Sequence, residues 1–285
     1  MIPVWHRPKT FCLLLLLFTL GCAQGQSAGW EWRVCAEPHS LPFSTKQGLG
    51  FENKIAEILA RELKAELTYV WLPQPHTRAR DLYLETGRCD AIMGIPDGTA
   101  GFLTTLAYYR TSYVFLYKKG GPGRITSFDD PKLEELRIGV QSNGGNISPV
   151  SVALARRGLV EQQHTFSPDF TAREPLATVV EAVAKDEVDV GVVWGPVAGY
   201  FAADRGLTWV PVSPQIEIPF VPFVASMSIG LRLGEEDFRD LLDEALAKHW
   251  DEIQSILKNY RVPLEPLPSL SPTAMSNPQP FPKIR

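Results

Sequence analysis

The chain has 285 residues, 45% of them hydrophobic, which is enough for an interior of its own and more than one domain of about 100 to 200 residues would use. A formal net charge of −4, with 21% of residues charged, provides no basic surface for a phosphate backbone and excludes nucleic acid as an expected partner.

Residues 1–23 have the plan of a secretory leader: Arg7 and Lys9, an apolar run from Phe11 to Leu20, then the small residues Gly21, Cys22 and Ala23. The run is short of the roughly 20 apolar residues a spanning helix needs, so cleavage after Ala23 and release of a soluble periplasmic product are expected. Lipidation of Cys22 is the weaker alternative, because Leu20 stands one position away from its lipobox place. Loss of the leader removes Cys12 and Cys22 and leaves Cys35 and Cys89, which an oxidising compartment pairs. Each sits in a short apolar segment, so the disulfide is expected to join two strands of one sheet. With no CxxC motif and no ligand spacing among the histidines, neither a metal nor a cofactor is expected.

The predicted elements begin with a strand over Trp32–Ala36 and an amphipathic helix over Phe51–Leu63, whose apolar face carries Ile55, Ile58, Leu59 and Leu63. A strand over Leu67–Trp71, a helix over Arg78–Glu85 and a strand over Cys89–Gly94 complete a βαβαβ unit with a parallel sheet. Ser112–Lys118 is β-rich and leads into Gly120-Gly121-Pro122-Gly123, the expected first hinge crossing. The pattern then recurs with a strand over Leu136–Val140 and a helix opened by Ser148 as N-cap and Pro149 at N1. Thr171–Glu174 has the spacing of a capping box, ahead of a helix striped by Leu176, Val179, Val180 and Val183. A strand over Val188–Trp194 follows. The helix-to-strand junctions echo each other, Gly87-Arg88-Cys89-Asp90-Ala91-Ile92 against Asp186-Glu187-Val188-Asp189-Val190-Gly191, which suggests two similar lobes. Ile218–Val224 is expected to carry the chain back, Ser226–Leu231 to rejoin the first sheet, and Glu235–Tyr260 to form one long helix packed on it. From Pro263 the chain is rich in Pro and Ser without apolar periodicity, as in a disordered tail.

This order of elements resembles the amino-acid type of extracellular solute-binding proteins over about Trp32–Tyr260. A closer resemblance is to the J-type accessory proteins encoded with methanol dehydrogenases that use pyrroloquinoline quinone. It is carried by Arg33-Val34-Cys35-Ala36-Glu37-Pro38, Leu41-Pro42-Phe43-Ser44, Gly50-Phe51-Glu52-Asn53, Trp71-Leu72-Pro73-Gln74, Gly87-Arg88-Cys89-Asp90 and Met93-Gly94-Ile95-Pro96. The resemblance implies a two-lobed, type II periplasmic binding-protein fold of class α/β, each lobe a mixed sheet flanked by helices. Lobe one is assigned to residues 30–118 and 222–262, lobe two to 119–221, and the tail to 263–285. It also implies a quinoprotein dehydrogenase subunit as partner, with room for a small-molecule ligand between the lobes.

In such a fold the ligand is contacted by loops after the strands. These loops supply His39, Ser40 and Phe43, then Trp71 and Gln74, then Ile95 and Asp97 from lobe one. Lobe two supplies Gln141, Ser142, Asn143 and Trp194. Amino-acid receptors of this class carry an Arg past the third strand for the α-carboxylate and an acid at the end of the lobe-two strand for the α-ammonium. Here those places hold Asp97-Gly98-Thr99-Ala100-Gly101 and Trp194, so the bidentate arginine clamp is missing and an ordinary amino-acid ligand is not expected. No nucleophile elbow, P-loop or metal cluster is present, and no catalytic residue is assigned. A transport receptor for a different solute is the alternative function, and an enzyme of the cyclohexadienyl dehydratase type a remote one.

Overall fold

The computed structural model describes residues 30–73, 78–142 and 148–268. The first sheet starts from β1 (Glu31–Ala36), which buries Trp32 and Val34 on one face and Cys35 on the other. A small hairpin, β2 (His39–Ser40) with β3 (Ser44–Thr45), leads into helix α1 (Phe51–Leu63), and β4 (Glu66–Trp71) then pairs parallel with β1. β5 (Ala91–Pro96) lies parallel on the other side of β1, followed by β6 (Leu103–Thr104) and the long β7 (Tyr109–Lys118).

The second sheet takes β8 (Ile138–Gln141), helix α2 (Pro149–Arg156), β9 (Gln163–Phe166), helix α3 (Thr178–Ala184), β10 (Val190–Trp194), helix α4 (Gly195–Ala202) and β11 (Leu207–Pro211). After the β12 (Ile216–Glu217) and β13 (Val221–Pro222) hairpin, β14 (Val224–Leu231) returns to the first sheet, and α5 (Glu236–Lys248) and α6 (Trp250–Asn259) pack on α1. The strand order is β4-β1-β5-β14-β7-β10-β8-β9, with β11 on the free side of β7. This is the two-lobed, mixed α/β architecture expected from the sequence.

β7 belongs to both lobes. Residues 109–112 pair with β14, whereas residues 113–116 pair with β10. The first crossing therefore falls inside this strand at Ser112–Tyr113. The Gly120–Gly123 segment, expected to be the crossing, is a turn beyond it in which Gly121 N–H donates to Lys118 O at 2.9 Å. A central strand shared by two sheets needs no flexible linker sequence, which explains why the glycines pointed elsewhere.

Three further expectations differ. Arg78–Glu85 holds only one wide turn, Arg80–Leu84, closed by Glu85 N–H donating to Arg80 O; Leu84 is its one buried side chain, too little apolar face for a longer helix. Thr171 caps nothing: its hydroxyl and N–H both donate to Asp169, and Pro175 drives the preceding Glu174 out of helical backbone, so α3 starts at Thr178. The helix of 235–260 breaks at His249, whose ring lies 2.9 Å from Glu62 of α1 and 3.2 Å from Glu252. Ser148 does cap α2, accepting from Val150 N–H at 3.1 Å.

The helix-to-strand echo has a structural counterpart. Ahead of β5, Asp90 receives the N–H and guanidinium of Arg33, with an ion pair at 2.6 Å; ahead of β10, Asp189 receives those of Arg137 at 2.8 Å. Burial would raise Asp90, but the Arg33 hydrogen bonds outweigh it and hold the carboxyl below its ordinary value.

Beyond α6, residues 263–268 do not begin a loose tail. Thr111 Oγ1 donates to Pro263 O at 2.6 Å, Glu265 N–H to Arg110 O at 2.8 Å, and Ser112 Oγ to Glu265 Oε1 at 3.2 Å. The segment is laid beside β7 at the crossing and against α4. At Gly199 an added Cβ would fall 1.9 Å from Arg261 O, so only glycine admits this approach. The remainder of the tail, 269–285, and the expected leader lie outside the described residues.

Candidate functional site

Two adjoining chambers occupy the cleft at the C-terminal ends of β1, β5 and β10, the place where open α/β sheets receive ligands. The inner one has a volume of about 340 Å³ and the outer about 480 Å³. They share Phe43, Gly94, Leu176, Trp194 and Met227 as walls.

The β2–β3 loop shapes the cleft. Phe51 N–H donates to Pro42 O at 2.8 Å and Glu52 N–H to Phe43 O at 3.0 Å, so the start of α1 grips the loop by its backbone. Asn53 Oδ1 accepts from the N–H groups of Thr45 and Gly50, which orders the helix start. A Cβ at Gly50 would meet Phe43 O at 1.9 Å, so this contact requires glycine. Held in this way, Leu41 and Phe43 pack against the apolar cluster of lobe two, and Phe43 also packs against that of lobe one. Lobe one thus fills part of the space between the lobes with its own side chains.

Glu52 sits in the wall of the inner chamber, beside Glu37. Its carboxylate lies against the backbone of Gly94, where a Cβ would fall 2.3 Å from Oε1; Gly94 has φ +67. Burial raises the Glu52 carboxyl to about 8, and the Glu37 charge adds to the rise. Tyr108 receives the Gly94 N–H on its hydroxyl at 3.1 Å, while the hydroxyl of Tyr109, which lines the chamber, has no hydrogen-bond partner although the residue is 1% exposed. Burial pushes both phenols far above their ordinary value, and the Glu52 charge pushes in the same direction. No Lys, Arg or His among the described residues lines either chamber. Nor do the described residues contain a group of three or more His, Cys, Asp or Glu that could hold a metal ion.

Of the residues the sequence pointed to, Ser40, Phe43, Ile95 and Trp194 line the inner chamber, and Gln141 lines the outer. Trp194 stands edge-on to Tyr113 at 5.1 Å. His39 is exposed in the hairpin and Trp71 stacks on Tyr69 at 4.9 Å; neither reaches a chamber, Trp71 because β4 is the edge strand beyond β1. Asp97 turns away as well: it accepts from Thr104 Oγ1 at 2.8 Å and borders a separate groove of about 920 Å³ beside α5. Ser142 spends its N–H on Phe166 O and lines neither chamber. Gln74 and Asn143 lie outside the described residues. Cys35 and Cys89 form a disulfide with a Cα–Cα distance of 5.6 Å; Cys89 lies just ahead of β5 rather than in a strand.

Reasoning from strand ends missed Glu52, Met93 and Leu176. Glu52 stands at i, i+3, i+4 and i+7 with Ile55, Ala56 and Leu59, an acid on the buried stripe of an amphipathic helix. That spacing was the available signal. An acid in a first helical turn reads equally well as a complement to the helix dipole, which hides it.

The described residues define the two-lobed binding-protein class. No family model matches the sequence. Protein MoxJ of Methylorubrum extorquens is 30% identical over 250 residues, which cover 82% of this chain and 82% of that protein. The crystal structure of periplasmic binding protein XoxJ from Methylobacterium extorquens AM1 matches at 34% identity and a TM-score of 0.68, over 82% of this chain and 99% of that one. The crystal structure of MxaJ from Methlophaga aminisulfidivorans MPT, 24% identical with a TM-score of 0.73 over 82% of this chain and all of that one, shares the fold. The chain belongs to the MoxJ family.

Proposed function

We propose that the protein is a non-enzymatic periplasmic binding protein that serves a quinoprotein methanol or alcohol dehydrogenase as an accessory. The observation that carries this reading is the cleft itself. Its described walls hold no cationic side chain to clamp a carboxylate, and Leu41 and Phe43 of lobe one already occupy lobe two's apolar surface. A cleft so furnished suits a protein partner or an unusual solute better than amino-acid uptake. Membership of the MoxJ family and the periplasmic relative support the same direction. No helix among the described residues is long and apolar enough to cross a membrane, which is compatible with release after leader cleavage.

The enzyme alternative gains one acid, because Glu52 is raised towards neutrality as general acids are. The described walls of the inner chamber add one further carboxylate, Glu37, with no Lys, Arg or His beside it, and Cys35 is bonded to Cys89. The test is capture of the tagged protein from the periplasm with identification of co-purifying proteins and extracted small molecules. Recovery of a quinoprotein dehydrogenase subunit is the expected result. One stoichiometric metabolite without a dehydrogenase would instead assign the protein to solute transport.

A further inference from the structure

Glu52 is half-buried in the wall of a chamber whose described walls offer it another carboxylate, Glu37, and no cation. Ionised carboxyl groups are costly to bury without a positive partner, and a glutamine would fill the same space at lower cost. Tyr109 also lines the chamber, and its hydroxyl is buried without a hydrogen-bond partner, so one donor and acceptor is left unused there. The remaining walls include the rings of Phe43, Tyr109 and Trp194, and aromatic faces attract cations. Gly94 clears the space that the Glu52 carboxylate occupies.

We infer that the inner chamber is a site for a small primary ammonium ion carrying no carboxylate, held by Glu52 and the Tyr109 hydroxyl between the aromatic rings. The site stands independently of the accessory reading. A free amine fits better than a protein-borne lysine, because the chamber of about 340 Å³ is near the lower limit for small-molecule sites and Phe43 and Trp194 stand between it and the outer chamber as shared walls. Binding carries a proton linkage. Glu52 must be ionised to pair with the ligand, and its carboxyl is raised to about 8, so occupation releases a proton and affinity rises from pH 6 to pH 8. The titratable groups facing Glu52 are Glu37, Tyr69, Tyr108 and Tyr109, and the three phenols, all raised, stay neutral over that range.

The experiment is calorimetric titration of the whole protein with n-butylammonium, n-butanol, butyrate and Nα-acetyl-lysinamide at pH 6 and pH 8. Saturable binding of butylammonium alone among the first three, tighter at pH 8, is expected. Glu52→Gln and Tyr109→Phe should each weaken it by about tenfold or more, the usual effect of removing a hydrogen bond to a charged group. Circular dichroism and melting of both variants separate loss of the site from loss of the fold. No binding of butylammonium, equal binding of butanol, or affinity indifferent to both substitutions in folded protein would overturn the proposal. Tighter binding of the capped lysine than of butylammonium would overturn the choice of a free amine.

Discussion

The carboxyl of Glu52 lies against the backbone of Gly94 in the wall of the inner chamber, where burial first and the Glu37 charge second raise it. Its effect on stability has a definite sign. The folded state holds the Glu52 carboxyl at about 8 against 4.5 in the unfolded chain. Between those values the unfolded state gives up a proton that the folded state keeps, so this group's contribution is full below pH 4.5 and is lost as pH rises to about 8. Asp90 and Asp189 act oppositely, since their arginine partners hold them low and their contribution is lost on acidification. The melting temperature of Glu52→Gln relative to the original protein should therefore increase steadily from pH 5 to pH 8. A difference flat with pH would show that Glu52 ionises normally. At this scale the sequence was partly legible: Phe43, Ile95 and Trp194 were recognisable as residues after strands. Asp97 was misplaced because Thr104 draws its carboxylate out of the cleft, a contact between residues too close in sequence to leave a periodic signature.

Strands and helices were more legible than the bends between them. α1 was readable to its ends because its apolar stripe is long and an αL residue, Lys64, stops it. β10 and the N-cap at Ser148 were likewise visible in local chemistry. The break at His249 was not, because it follows from ring contacts with Glu62 of a distant helix while the apolar stripe runs through uninterrupted. Two predictions belong to this scale. Cys35→Ser should cost about 2 to 5 kcal/mol in denaturant unfolding, the range for removal of a native bridge, and two free thiols in protein from the periplasm would contradict the pairing. Ending the chain at Val262 should destabilise it by about 1 to 3 kcal/mol relative to ending it at Pro268, through loss of the hydrogen bonds of Pro263 and Glu265 to β7. Equal melting of the two truncations would show that this segment does not hold the crossing.

For the whole molecule, the two lobes are joined by a strand common to both sheets, by the returning β14, and by residues 261–265 lying beside that crossing. Their duplicate Arg33–Asp90 and Arg137–Asp189 arrangements show why the repeated junctions were readable in the sequence, whereas β7, readable as β-rich, carried no sign that two sheets share it. With Phe43 bridging the apolar clusters of both lobes, the resting cleft is partly closed by the protein itself. On the accessory reading proposed above, a partner would engage the rim and the hairpin, leaving Phe43 in place.

The most direct test is titration of the purified protein against the purified quinoprotein dehydrogenase of the same cell, with Phe43→Asp as the comparison. Saturable binding that Phe43→Asp weakens by about tenfold or more, while its circular dichroism remains that of the folded protein, is the predicted result. No binding at micromolar concentrations of a fully active dehydrogenase would contradict the accessory role.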